Sequence, residues 1–248
     1  MRRPRIYSDS SLKKGKSFEL DNRSDHYLRH VLRIKVGQSI TVFNGDGNDY
    51  HGTIADIKRK AIQVRLDDTE PLTNTSKESS LYITLVIGIS KGDRMDWVVQ
   101  KATELGVHNI QPLLTNRVDT KLNASREEKK IEHWESVAIS ACEQCGRSVL
   151  PKISHPIKIA DWLSETRDTL KLVLTPSGKT LKNLNSELDH QPKEIDLLIG
   201  PEGGFTQEEI EAALNENYFP LSLGPRILRT ETAPLVAISL MQERWGDI

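Results

Sequence analysis

From Leu81 to its end, this 248-residue chain alternates short apolar runs with segments of helical periodicity. The alternation predicts, in chain order, strand 81–89, helix 93–105, strand 109–115, helix 126–145, strands 171–175 and 195–199, helix 206–217, strand 220–223 and helix 233–245. Strands that alternate with helices form largely parallel sheets, because a crossover helix returns the chain to the same end of the sheet. The sequence therefore predicts an α/β domain over residues 81–248.

The residues before this domain have a different pattern of short β-rich runs, with Ser39–Phe43 and Ala61–Leu66 as the clearest strands. One helix-like segment, Ser24–Arg33, interrupts them, and its periodicity predicts a shared apolar face of Tyr27, Leu28, Val31 and Leu32. We therefore expect a small β-barrel-like domain at residues 1–70. Residues 71–80 lack apolar periodicity and are the expected linker.

The net charge of −1 conceals an asymmetry between these two regions. Residues 1–66 hold 14 Lys and Arg against 7 Asp and Glu, whereas residues 67–248 hold 20 against 28. A basic small domain indicates contact with a polyanion such as nucleic acid. The alternative is a solvated basic face without a partner.

The apolar runs are far shorter than a membrane span, and the Arg-rich start lacks the apolar run of a secretory signal. We therefore expect a cytoplasmic protein with no membrane partner.

Cys142 and Cys145 stand as Cys-Glu-Gln-Cys at the end of a predicted helix. A redox pair or half of a zinc site is the alternative to simple helix packing. No second Cys/His pair has metal-like spacing, so no metal is expected.

Two glycine-rich turns follow apolar runs near the C-terminus, one within Ile199–Thr206 and one within Leu223–Ala233. A third polar turn is predicted at Thr175–Gly178. Turns at the ends of strands in an α/β sheet mark the usual ligand crevice. The first turn has neither a Walker ending nor the spacing of a dinucleotide loop. Pro201 and Glu202 at its apex favour a cationic or hydroxyl-bearing ligand over a phosphate.

Several separated motifs, in this order, are similar to those of one known family. They are His26–Arg33, Lys91–Asp96 with Lys101–Gly106, Glu143–Arg147, and the two glycine-rich turns. On these motifs the chain resembles the RsmE family of 16S ribosomal RNA uracil-N3 methyltransferases, within the SPOUT superfamily. The basic segment after the second predicted strand departs from the family pattern, because Asp119 dilutes its positive charge.

The resemblance implies a trefoil-knotted SPOUT methyltransferase domain at 81–248 that binds S-adenosylmethionine, and a PUA-like β-barrel at 1–70. It further implies a homodimer that builds the active site, and 16S rRNA or the small ribosomal subunit as partner. The expected product is a 3-methyluridine in the decoding region. Two alternatives stay open, namely a non-catalytic RNA-binding assembly factor and an enzyme of the same fold acting on a ribose 2′-hydroxyl or another base.

The resemblance also assigns roles to residues of this sequence. The cofactor-binding residues are expected to be Leu174, Thr175, Ile199, Gly200, Pro201, Glu202, Gly203, Gly204, Leu223, Gly224, Ile227 and Leu228. The RNA-binding residues are expected to be Arg2, Arg3, Arg5, Arg23, His26, Arg29, Arg33 and Arg226, with Tyr27 as a further base partner. Arg229 would stabilise negative charge on the uracil carbonyls, or hold a phosphate. Glu231 would accept the proton or orient Arg229, or serve only at a helix start.

Overall fold

The structure is a computed structural model that describes residues 3–67, 72–73, 77–117, 124–186, 188 and 190–248. The chain divides into two compact units. The first comprises the described residues up to Glu78 together with Cys142–Leu150, and the second comprises Ser79–Ala141 and Pro151–Ile248. The predicted RNA-binding residue Arg2, the departure at Asp119 and residues 71 and 74–76 of the predicted linker lie outside the described residues.

The first unit is built on a six-stranded sheet. Its strands are β1 (Arg5–Tyr7), β2 (Ser17–Glu19), β3 (Ser39–Phe43), β4 (Asn48–Ile57), β5 (Ile62–Leu66) and β6 (Leu72–Thr73). Their order is β1-β3-β4-β5-β2, with β6 paired to β4, and only β1 and β3 pair in parallel. Strand β6 lies inside the predicted linker, so part of that segment belongs to the sheet. Alternate residues of β5 are buried, as a sheet with one face on a core requires.

The helix-like segment at 24–33 differs from its prediction. Helix α1 covers only Asn22–His26, and the chain continues as a π-helical turn at Tyr27–Val31. Only Leu28 of the four expected apolar side chains is buried, whereas Val31 is 61% exposed. The prediction of one apolar face was wrong because a π-turn widens the helical repeat and moves later side chains off the 3.6-residue stripe.

Residues Cys142–Leu150 are held to the sheet of the first unit by a polar network. The guanidinium of Arg5 forms an ion pair with Asp49, and it donates to the Arg147 carbonyl oxygen at 3.0 Å and to Ser148 Oγ at 3.1 Å. Ser148 Oγ in turn donates to Asp49 at 2.6 Å. Charge-assisted bonds of this kind are strong where water is excluded, and Arg5 is only 10% exposed.

Two further carboxylates complete this network. Glu143 accepts two bonds from the Arg23 guanidinium, at 2.7 and 3.1 Å, and one from the Tyr7 N–H at 2.9 Å. Arg147, which is buried, donates to Glu78 at 2.7 Å. Removing one partner of such a pair leaves a buried charge uncompensated, so the pairs fix the segment in place.

The cysteine pair lies within this segment, in the last turn of the helix Ala124–Cys145. Cys142 Sγ donates to the Val149 carbonyl oxygen at 3.7 Å. The hydrogen bond with Cys145 and, as the second cause, burial raise the pKa of the Cys142 thiol. A raised pKa keeps the thiol neutral, which favours packing over redox chemistry. Within the described residues, no group of three His, Cys, Asp or Glu side chains is arranged to hold a metal ion.

The second unit is an α/β domain with a seven-stranded sheet. Its strands are β7 (Tyr82–Gly88), β8 (Asn109–Leu114), β9 (Lys152–Ile153), β10 (Ile157–Lys158), β11 (Leu170–Thr180), β12 (Glu194–Ile199) and β13 (Phe219–Ser222). The helices are α2 (Asp93–Glu104), α3 (Ala124–Cys145), α4 (Ile159–Leu163), α5 (Leu181–Asn185), α6 (Gln207–Asn215) and α7 (Thr232–Trp245). No helix in the described residues has both the length and the apolar character needed to cross a bilayer.

Every recorded pair in this sheet is parallel, and the order is β10-β8-β7-β12-β11-β13, with β9 beside β8. The predicted α/β class with a mostly parallel sheet is confirmed. Central strands β7 and β12 are almost entirely buried, which explains why they read as continuous apolar runs. Helix α6 begins with the expected capping box of Thr206 and Glu209. The short elements β9, β10, α4 and α5 were not predicted.

One predicted turn is instead part of a strand. Residues Thr175–Gly178 lie inside the continuous strand β11, where the pairing register with β13 shifts between Leu174 and Lys179. A Cβ atom on Gly178 would stand 2.6 Å from backbone atoms of Pro220 and Leu221. The prediction of a turn was wrong because a glycine inside a strand also permits a bulge and a close backbone approach.

We expect Gly178→Ala to destabilise the protein by about 1–3 kcal/mol, because the added methyl group would force β11 away from β13. The exposed neighbour offers a matched control in Ser177→Ala, which should shift stability by less than about 0.5 kcal/mol. Chemical unfolding followed by circular dichroism measures both changes. Equal midpoints for the two variants would contradict the close approach.

Candidate active site

A cleft of about 410 Å³ opens in the second unit beside the ends of β11, β12 and β13. Parallel strands place the loops that follow them at one edge of the sheet, and this edge is the usual ligand site of an α/β domain. Of the twelve predicted cofactor-binding residues, eleven line the cleft and Gly203 does not. The three segments predicted from sequence therefore come together.

The walls of the cleft are mainly apolar. Leu174, Ile199, Leu221, Leu223 and Leu228 line it, and most of them also pack against the core of the domain. Ile227 differs from these wall residues, because it is 91% exposed and stands at the rim. An apolar cleft with a few polar groups is typical of sites for small organic ligands.

One polar group in the wall has no partner. Thr175 is 7% exposed, and its Oγ1 makes no hydrogen bond within the part of the chain that the structure describes. A buried hydroxyl without a partner costs free energy unless a ligand or water satisfies it. The combination of apolar walls, main chain of Gly200 and Gly204, and this hydroxyl fits a nucleoside-like ligand.

Glu202 has a different environment from the predicted one. Its Oε1 accepts from the Lys91 N–H at 3.0 Å and from Arg94 Nη1 at 2.8 Å. Burial raises the pKa of Glu202, but these bonds and one from its own N–H outweigh burial, and the resulting pKa lies below the ordinary glutamate value. Glu202 thus ties the loop after β12 to the segment that begins α2.

Arg117 is a cleft residue that sequence reasoning missed. It follows β8, and its Nη1 donates to the Gly203 carbonyl oxygen at 2.6 Å. The same loop is therefore held from two sides, by Arg117 and by Arg94. Its position in the sequence could have indicated this role, because Arg117 comes just after a strand that was predicted to end at this edge of the sheet.

The two predicted catalytic residues, Arg229 and Glu231, do not line the cleft. Arg229 is exposed, and its carbonyl oxygen accepts from the Thr232 and Ala233 N–H groups at 2.9 Å each. Glu231 is the N-cap residue of α7, yet its side chain makes no capping bond. No hydrogen bond joins Glu231 to Arg229 in the described structure, so the orienting role predicted for Glu231 is not observed.

Three of the predicted RNA-binding arginines are engaged within the first unit. Arg5 and Arg23 belong to the network described above. Arg29 donates to Asp25 through two nitrogens, at 2.9 and 2.8 Å, and to the Lys58 carbonyl oxygen at 3.0 Å. The hydrogen bond from Arg29 lowers the pKa of Asp25. These bonds give all three side chains structural roles, and their contact with RNA stays a prediction.

The other predicted RNA-binding residues that the structure describes are accessible. Arg3, His26, Arg33 and Arg226 are exposed, and Tyr27 is 39% exposed. His26 lies beside His30, with ring centroids 4.8 Å apart. Arg226 belongs to the second unit, where it lines the cleft.

Models of known protein families match parts of both units. A family model for an RNA methyltransferase domain matches residues 77–242, and one for an RNA methyltransferase PUA domain matches residues 20–67. Ribosomal RNA small subunit methyltransferase E of Buchnera aphidicola (subspecies Acyrthosiphon pisum) is 35% identical, over 98% of this chain and 94% of that protein. The Bacillus subtilis protein of the same name is 30% identical, over 92% and 90%.

Solved structures are similar over the full length. A Legionella pneumophila protein in complex with S-adenosylmethionine is 39% identical, with a TM-score of 0.93 and complete coverage of both chains. The Neisseria gonorrhoeae ribosomal RNA small subunit methyltransferase E bound to S-adenosylmethionine is 34% identical, with a TM-score of 0.89 and complete coverage of both chains.

A parallel α/β domain with a glycine-walled cleft at its strand ends, joined to a PUA-like domain, defines an RNA methyltransferase of the SPOUT fold class. The family models and the full-length relatives narrow this class further. The chain belongs to the RsmE family, that of ribosomal RNA small subunit methyltransferase E.

We expect Glu202→Gln to weaken S-adenosylmethionine binding by up to about fivefold at neutral pH, because the loop loses a contact worth up to roughly 1 kcal/mol. The lowered pKa means that this contact is complete at neutral pH and is lost only as the pH falls through the folded-state value of Glu202. Calorimetric titration of the wild type, Glu202→Gln, Arg94→Gln and the double variant measures the coupling.

If the two residues act through each other, the double variant should lose no more affinity than either single variant. Glu104→Gln is the matched control, because it breaks a comparable Lys101–Glu104 pair on α2 that does not line the cleft. Strictly additive losses at residues 94 and 202 would contradict the clamp.

Proposed function

We propose that this protein transfers a methyl group from S-adenosylmethionine to N3 of a uridine in the decoding region of 16S ribosomal RNA. The observation that carries the proposal is the family membership of the chain together with a cleft whose lining suits a nucleoside-like cofactor. The substrate is the 16S RNA alone or within the small ribosomal subunit. We further propose that the protein acts in the cytoplasm.

The chain's own residues support cofactor binding in the cleft. Leu174, Ile199, Leu223 and Leu228 would enclose apolar and aromatic surface, and Thr175 Oγ1 would gain a hydrogen-bonding partner. Arg117 and Arg226 place positive charge on the cleft lining, which suits a carboxylate. When bound, S-adenosylmethionine supplies an electrophilic methyl group carried on a sulfonium.

The remaining requirement is a deprotonated acceptor, because the uracil imide nitrogen is nucleophilic only as it loses its proton. We assign to Arg229 the stabilisation of the negative charge that develops on the uracil carbonyl oxygens. Glu231 carries the carboxylate nearest to Arg229 in the sequence and would accept the N3 proton of the uracil. Both side chains lie outside the cleft lining, so the proposal requires that bound RNA reach them at its rim.

The proposed working form is a homodimer whose second copy contributes to the active site. Exposed apolar side chains of the second unit support this, because Ile227 is 91% and Leu240 is 42% exposed. Ile227 lines the cleft, so a second copy that covered this side chain would also contact the site. Light scattering should give twice the mass of one chain.

We expect Arg229→Ala to lower the turnover of methyl transfer by about a hundredfold while leaving S-adenosylmethionine affinity unchanged, because Arg229 does not line the cleft. Arg244→Ala, an exposed arginine later in α7, is the matched control and should retain full turnover. Single-turnover assays on small ribosomal subunits measure the first quantity, and calorimetry measures the second. Wild-type turnover in Arg229→Ala would remove this residue from the mechanism.

Nucleoside analysis tests the reaction itself. Ribosomal RNA from a strain lacking the gene, with and without complementation, is digested to nucleosides and analysed by mass spectrometry. Restoration of 3-methyluridine supports the proposal. A 2′-O-methylated nucleoside in its place would support the ribose alternative, and restoration of no methylated nucleoside would contradict methyl transfer.

A further inference from the structure

The internal ion pairs of the first unit decide which of its basic residues are available to a partner. Arg5, Arg23 and Arg29 each bind a carboxylate at close range, and Lys58 lies 3.6 Å from Glu19. A cation that is already paired has little charge left to exchange for the counterions of a nucleic acid. Lys16 and Arg65 differ, because neither makes an ion pair with any residue that the structure describes.

These two cations lie at one open cleft of about 630 Å³ in the first unit. Lys14 also lines it, and Asp67 is the single carboxylate among the described residues of the lining. The backbone explains the arrangement, because the Gly15 N–H donates to the Asp67 carbonyl oxygen at 3.0 Å and the Leu66 N–H donates to the Lys16 carbonyl oxygen at 2.9 Å. We call this feature the basic cleft.

Hydroxyl groups flank Arg65 on the outward face of the sheet. Arg65 on β5 is opposite Thr53 on β4 and Ser17 on β2, and Thr53 is opposite Ser39 on β3. Residues directly opposite each other project to the same face, so the three hydroxyls and the guanidinium form one row across four strands. The inward alternation of Ile62, Val64 and Leu66 keeps this row on the solvent side.

Cations combined with hydroxyl donors are the groups that bind the phosphates and sugars of nucleic acids. Among the described residues, no aromatic side chain lines the basic cleft, so these residues offer no surface on which a base can stack. We propose that the basic cleft binds the phosphate backbone of the RNA substrate and positions the RNA without reading its sequence. This inference rests on the proposed function for the identity of the RNA.

The test uses the full-length protein with Lys16→Gln and Arg65→Gln combined. The matched control is Arg59→Gln with Lys60→Gln, which removes one arginine and one lysine from the exposed β4–β5 turn of the same sheet. Binding of a 16S RNA transcript is measured by filter retention between about 50 and 200 mM salt. Unfolding midpoints and S-adenosylmethionine affinity establish that each variant is folded.

The cleft variant should bind RNA about tenfold more weakly at low salt, and its plot of log affinity against log salt should be shallower by about 1.5, from two lost phosphate contacts. The control variant should keep the wild-type slope. An unchanged slope in the cleft variant, or an equal change in the control, would overturn the proposal. Normal RNA binding with impaired methylation of assembled subunits would also overturn it, since that result indicates a ribosomal protein as partner.

The outcome is separable from that of the proposed function. If the wild type produced no 3-methyluridine but the cleft variant still lost RNA affinity and salt dependence, the function would fail and the binding site would stand. If the wild type methylated the RNA and the cleft variant bound it normally, the proposed function would stand and the proposed binding site would fail.

Discussion

The pairing of β11 with both β12 and β13 is the constraint on which the cofactor cleft depends. Pairing holds the three strands side by side, so the loops that follow β12 and β13 meet the bulged part of β11. The bulge requires backbone atoms of β13 to come within 2.6 Å of the position that a side chain on Gly178 would fill. The cleft is therefore a product of backbone packing, and its side chains add apolar surface and orientation.

Sequence patterns were sufficient for the parts of the fold that depend on local periodicity. Apolar runs located β7, β8 and β12, and the spacing of Thr206 and Glu209 located the start of α6. The glycine-rich turns located the cleft, since turns after parallel strands share one edge of the sheet. Patterns could not distinguish a bulge from a turn at Thr175–Gly178, because both use the same residue types.

Long-range pairing is the reason that the environments of other predicted site residues could not be read from the sequence. Arg5 and Arg23 looked available for RNA, yet their carboxylate partners, Asp49 and Glu143, stand 44 and 120 residues away in the chain. A single sequence does not reveal such partners, so the basic character of the first unit could be predicted while the internal ion pairs of Arg5 and Arg23 could not. The same limit applies to Glu202, whose partner Arg94 lies 108 residues earlier.

The first unit is discontinuous in sequence, because Cys142–Leu150 belongs to it although the flanking residues belong to the second unit. A chain cut near residue 80 would separate Glu143, Arg147 and Ser148 from Arg23, Glu78 and Arg5. Both fragments would then carry unmatched charges at surfaces that the native protein keeps largely dry. The two domains are therefore not interchangeable modules, and a swap between relatives would have to exchange the segment at 142–150 together with the N-terminal residues.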